Sequence, residues 1–300
     1  MISQMAEQLS AELKSFLADR YPYLLRGDVR QVNNILLRWR LITEYIGHNG
    51  LRFGHFLHIP KTGGTTLAHE LERGAETQLI SVDAPWDRFL GQLSHLKSDS
   101  SCSLITRAHH IFPQVINAGG ASAARFVFSI YRKSSEVHVS NINMIHRRIL
   151  RFKADPDGQP ADVRAFSLHW LGLLEADGVE VRETKDTAIA IAASDAYVSQ
   201  MGGIYGRYFS DCPLEEVNKV YFISTEETDD ILTTVLGMDR PPARRNTAQS
   251  GALQVEDLRQ SVIDRLVGDD ERIETMIQDR LSSPEDLRRV WQKELLPISG

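Results

Sequence analysis

Between Arg52 and Arg73 the chain reads RFGHFLHIPKTGGTTLAHELER, and no other stretch restricts the fold as much. Phe53, Phe56, Leu57 and Ile59 form a short apolar run that suits a buried strand. Pro60-Lys61-Thr62-Gly63-Gly64-Thr65-Thr66 then turns directly into a helical pattern. Gly63 and Gly64 accept backbone angles that residues with a Cβ resist, and Thr65 or Thr66 offers a hydroxyl to cap the helix. Such a strand, turn and helix aim unpaired N–H groups at one point. The partial positive charge of the helix end and the Lys61 ammonium suit that point to an anion such as a phosphate.

The same order recurs downstream. TQLISV before Asp83-Ala84-Pro85, the run Ser101 to Thr106, ARFVFSIYR ending on Arg132, and Val220 to Ser224 all read as strands, the third as a central one. Helical spacing follows from Trp86 to Leu96, from Ser134 to about Phe152 with Ser134 or Ser135 as cap, and from Thr225 through Val235. Lys185 to Met201 reads as one helix ended by Gly202-Gly203, and ADPDGQPA at 154–161 as a loop. The alternation predicts an α/β fold, a mostly parallel sheet with helices on its faces. Before the first strand, Leu9, Leu13, Phe16 and Leu17, then Val32, Ile35, Leu36, Trp39, Leu41 and Ile42, predict two or more helices. The expected organisation is a single domain over 1–300, with a helical addition at 1–50, an α/β core at 51–250 and C-terminal helices at 251–300.

A net charge of −6 gives no general attraction to nucleic acid or an anionic membrane, so any polyanion site must be local. No signal-peptide pattern opens the chain, and nowhere do about 18 apolar residues run uninterrupted. The expectation is a cytoplasmic protein with no membrane span. Cys102 and Cys212 stand far apart with no zinc-ligand spacing around them, and no metal is expected. The amphipathic terminal helices suit a lid or a homodimer contact.

The loop at 60–66 is not the Walker pattern, because Lys61 precedes the glycines. His58 to Thr66, HIPKTGGTT, closely resembles the 5′-phosphosulfate loop of carbohydrate-type sulfotransferases, whose donor is 3′-phosphoadenosine-5′-phosphosulfate. That family has a second element, a strand ending in Arg with a Ser eight residues on, which Arg132 and Ser140 match. An arginine fork and a hydroxyl about two helical turns further along can meet one phosphate. Where the family continues Arg-Asp-Pro, this chain has Lys133 and Ser134 after Arg132. VYFISTEE resembles a later strand of the family, and Arg244-Arg245-Asn246-Thr247 resembles its basic loop over the 3′-phosphate. TRAHHIF is similar to its Gly-His segment, with His109 or, in the alternative register, His110 at the position of the catalytic base.

The resemblance implies a P-loop-like domain that transfers a sulfuryl group to an acceptor hydroxyl on a carbohydrate or small molecule. It implies that Lys61 and the backbone N–H groups of the loop Pro60, Lys61, Thr62, Gly63, Gly64, Thr65 and Thr66 hold the sulfated end of the donor. Arg132, Ser140, Arg244, Arg245 and Asn246 would hold its 3′-phosphate, and His109 or His110 would take the acceptor proton. The scheme uses no metal. A P-loop nucleotide-dependent kinase, or a glycan- or protein-binding module that kept the fold without the chemistry, are the alternatives.

Overall fold

The structure, a computed structural model, describes residues 9–25, 34–74, 77–96, 103–209, 211–238, 252–268 and 270–295. The chain forms two compact units. One comprises residues 1–131, 208–243 and 280–300, the other residues 132–207 and 244–279.

The first unit is built on five parallel strands, β1 (Phe53–Leu57), β2 (Thr77–Ser81), β3 (Ser103–Ala108), β4 (Val127–Tyr131) and β5 (Val220–Ser224), in the order β2-β3-β1-β4-β5. Every residue of β1 and β4 is buried, as expected of parallel strands covered on both faces. The alternation of side chains sorts the two faces. Leu79, Ile105, Phe56, Phe128 and Ile223 point to one side, where Leu67, Leu71, Ile231, Leu287 and Trp291 from three flanking helices close the core. The other side carries His55, Thr106 and Ser129, all fully buried. His55 Nδ1 meets Thr106 Oγ1 at 3.0 Å, and the Ser129 hydroxyl donates to the Leu57 carbonyl at 2.7 Å. Trp39, from the helix Ile35–His48, lies edge-on to His55 with ring centroids 4.9 Å apart.

The second unit is helical among its described residues. Ile142, Ile145 and Ile149 of the helix Ser134–Ala154 pack against Trp170, Leu174, Ile191, Tyr197, Leu253 and Leu266. The loop expected at 154–161 joins this helix to the next, Ala161–Ala176. The single helix expected over 185–201 is two, Lys185–Ala193 and Asp195–Met201. Ser194 breaks it by taking an extended conformation and accepting the Tyr197 N–H on its side chain, so that the serine caps a new helix. The cap expected at Ser134 or Ser135 is also different. Lys133 occupies the cap position without a side-chain bond, and the Ser134 hydroxyl donates instead to Asp270 at 2.6 Å. A buried carboxylate is the stronger acceptor and takes the hydroxyl away from the helix end.

Burial holds several histidines neutral, which links stability to pH. Loss of hydration pushes His55 down to about 3, His58 to about 2 and His138 to about 4, and lowers His110 as well. Unfolding frees these rings to bind protons below their ordinary value of about 6.5, so the unfolded chain gains protons and stability falls as pH drops. Thermal unfolding measured from pH 7.5 to 4 should show the midpoint decline below about pH 6.5, each ring costing up to about 1.4 kcal/mol per pH unit. A midpoint unchanged from pH 7 to 5 would contradict this.

Candidate active site

In β1 the chain runs outward to His58 and Ile59 and then turns. Lys61 has φ 68°, a left-handed conformation uncommon for a residue with a side chain, and Gly63 follows at φ 97°. Thr62 is fully buried and its hydroxyl donates to the Ile59 carbonyl at 2.9 Å, so its side chain fastens the turn from inside. The helix Gly64–Arg73 begins with Gly63 as its cap residue, not the threonine expected there, and no side chain caps it among the described residues. Thr65 and Thr66 are already inside the first turn, where their hydroxyls cannot serve as the cap. A helix start without a side-chain cap suits an external anion.

The two glycines have different reasons. Gly63 supplies the positive φ, and a Cβ there would stand 2.5 Å from Thr225 Oγ1. Gly64 has helical angles and serves close approach: a Cβ would stand 2.6 Å from His58 Cδ2 and 2.7 Å from Phe56 Cζ. The loop is thus seated directly on the His58 ring.

Sheet register brings the remaining groups to that ring. Leu57 pairs with Ala108 and Ser81 with Arg107, so the residues just past the three strand ends, Asp83, His109 and His58, fall side by side. The Val82 and His58 amides extend the ladders, donating to the Arg107 and Ala108 carbonyls at 2.8 and 3.0 Å. His109 Nδ1 lies 2.5 Å from Asp83 Oδ2, and the His109 amide donates to the same oxygen at 3.1 Å. Burial by itself would raise the Asp83 carboxyl, but the bonds from His109 and the positive charge of Arg107 outweigh it and hold Asp83 well below the usual carboxylate range. An ionised Asp83 can only accept, so Nδ1 of His109 carries the proton and Nε2 holds the lone pair.

Arg107 agrees with that assignment. Its Nη2 lies 3.2 Å from His109 Nε2, and its Nε donates to His58 Nδ1 at 2.9 Å. The His58 and His109 rings are 4.3 Å apart. Tyr208 fixes the His109 backbone by donating its hydroxyl to the carbonyl at 2.9 Å.

Asp83 is itself held from the N-terminal helix Ile35–His48. Buried Arg38 donates through Nη1 to the carbonyls of Val82 and Ala84, each at 2.6 Å, and its guanidinium lies 5.5 Å from the ring centroids of both Trp86 and Phe89. The expected N-terminal helical addition therefore reaches the turn that orients the histidine.

The two histidines of the expected site differ sharply. His109 has an orienting carboxylate and a half-exposed side chain. His110 has a buried Nδ1 with no hydrogen-bond partner among the described residues, and burial lowers its proton affinity. Arg132 follows β4 at once and belongs to the second unit, where its Nε pairs with Glu136 Oε2 at 2.9 Å. Ser140 stands one turn beyond Glu136 on the helix Ser134–Ala154. Arg244, Arg245 and Asn246 lie outside the described residues. Asp83, Arg107 and Arg38 are the residues that sequence reasoning missed. The available signal was Asp83 directly after a predicted strand, since ligands of open α/β sheets collect beyond the strands' carboxyl ends.

The strand order reverses at β1, with β3 on one side and β4 on the other, and a ligand crevice is expected at such a point. Comparison of the chain with protein-family models, with curated proteins and with solved structures finds no match. No described helix is long and apolar enough to cross a membrane.

Proposed function

We propose that the chain is a sulfotransferase of the P-loop-like type that moves a sulfuryl group from 3′-phosphoadenosine-5′-phosphosulfate to an acceptor hydroxyl on a carbohydrate. One observation carries the reading: an uncapped helix start beside Lys61 and a carboxylate-held histidine at the ends of adjacent strands. An anion cradle next to a base is the pairing that transfer of an anionic group to a hydroxyl requires.

The donor brings an electrophilic sulfur and a phosphate leaving group. The N–H groups of Thr62 to Thr66 and the Lys61 ammonium receive the charge on its sulfonyl and bridging oxygens. His109 Nε2 takes the proton of the acceptor hydroxyl as that oxygen attacks sulfur in line, with the acceptor O–H replacing the Arg107 N–H on the lone pair. Asp83 keeps Nδ1 protonated and stabilises the imidazolium that forms. The role of Arg132, Ser140, Arg244, Arg245 and Asn246 at the 3′-phosphate rests on the sequence resemblance.

Calorimetry tests the reading. Adenosine 3′,5′-bisphosphate should bind more tightly than ADP, because only the former offers the 3′-phosphate. Equal or tighter ADP binding would overturn it in favour of a nucleotide-dependent kinase. Absence of sulfuryl transfer to every member of a hydroxyl acceptor panel would leave a binding module.

A further inference from the structure

The turn after Arg132 departs from the Arg-Asp-Pro that the sulfotransferase resemblance leads one to expect, and the second unit holds that turn by other means. Tyr205 is fully buried, and its hydroxyl meets both polar groups of the Arg132 backbone. It accepts the Arg132 N–H at 3.0 Å and donates to the Arg132 carbonyl at 2.5 Å. A residue whose amide and carbonyl both bond one phenol has little freedom in φ or ψ, although it lies outside any strand or helix.

Two residues later the chain is held again. Ser134 donates its hydroxyl to Asp270 Oδ2 at 2.6 Å and its amide to Glu274 Oε1 at 3.0 Å. Both carboxylates come from the helix Asp270–Gln278, more than 130 residues further along the chain. Asp270 is fully buried, and its second oxygen accepts the Gly206 amide at 2.6 Å. Asp270 thus fixes the first turn of the helix Ile204–Phe209, which carries Tyr205, and at the same time fixes Ser134. Exposed Lys133 is the one residue between the two held points.

A buried carboxylate must find several donors to offset its lost hydration, and Asp270 finds them on two segments far apart in the sequence. Its bonds run to the residues that hold Arg132 and to the residue two places after it. We propose that Tyr205 and Asp270 are positioning residues for Arg132, supplying from distant segments the rigidity of an Arg-Asp-Pro turn so that the guanidinium is presented to the 3′-phosphate of the donor. This rests on the sulfotransferase reading of Arg132. Tyr205 acts on the backbone, while the side chain pairs through Nε with Glu136.

Tyr205→Phe keeps the ring and removes the hydroxyl, and binding of adenosine 3′,5′-bisphosphate and of adenosine 5′-monophosphate is measured by calorimetry. Bisphosphate affinity should fall about tenfold, as for loss of bonds to a ligand-bearing residue, with monophosphate affinity within about twofold of the native value. In an Arg132→Ala background, Tyr205→Phe should add nothing further. Equal effects on the two nucleotides, or none on either, would overturn the proposal, since a purely structural role has no preference for the 3′-phosphate. If Arg132→Ala removes the preference and Tyr205→Phe does not, the positioning role alone falls. If Arg132→Ala leaves the preference intact, the 3′-phosphate reading falls with it. Should Tyr205→Phe fail to fold, Asp270→Asn is judged by the same ratio and the same cycle.

Discussion

His109→Ala is expected to reduce sulfuryl transfer by about 10²–10⁴-fold, the usual contribution of a positioned general base, with donor affinity nearly unchanged. Asp83→Asn should produce a smaller loss with the same signature, because an asparagine amide can also present a donor to Nδ1 and so permit the wrong tautomer. His110→Ala should stay within a fewfold of the native rate, since its Nδ1 has no hydrogen-bond partner among the described residues and burial disfavours its charged form. Single-turnover assays with labelled donor measure all three. An inactive His110→Ala beside an active His109→Ala would reassign the base and remove the significance of the Asp83 contact.

Arg38→Met is expected to destabilise the protein by about 3–5 kcal/mol in urea unfolding. The methionine fills similar space but leaves the carbonyls of Val82 and Ala84 without their charged donor, and it removes the cation from the faces of Trp86 and Phe89. Burial disfavours the Arg38 charge and nearby Asp83 favours it, so the arginine and the turn that carries Asp83 are electrostatically linked. The same substitution should therefore lower the transfer rate of the folded fraction by loosening Asp83. A cost below about 1 kcal/mol would show that the turn at 82–85 holds without the N-terminal helix.

The elements of the α/β unit were legible because parallel strands buried on both faces read as apolar runs. β5 coincides with the expected Val220 to Ser224, and the ends of the others shift by a few residues. The fine structure of the loop was less so. Gly63 could be assigned to a positive φ, yet the left-handed Lys61 carries no local signal, and the need for glycine at 64 comes from rings on the preceding strand. Helix starts misled for two reasons: the Ser134 hydroxyl is taken by Asp270, and the chain enters the helix at Gly63, so that Thr65 and Thr66 already lie within the first turn. The break at Ser194 is the converse, a hydroxyl that capped where periodicity ran on.

Sequence alone determined the parallel α/β class, the glycine turn at 60–66 opening a helix, and the delivery of a histidine pair to one strand end, because each depends on residues near in the chain. Tertiary structure decided which histidine has a carboxylate partner. That choice depends on the register of β2, β3 and β1, which sets Asp83, His109 and His58 in one row, and on Arg38 and Tyr208 arriving from separate segments. Hydrogen bonds between such segments leave no periodicity behind, since the pairing of strand ends is fixed by the burial of whole faces rather than by the residues that finally meet there.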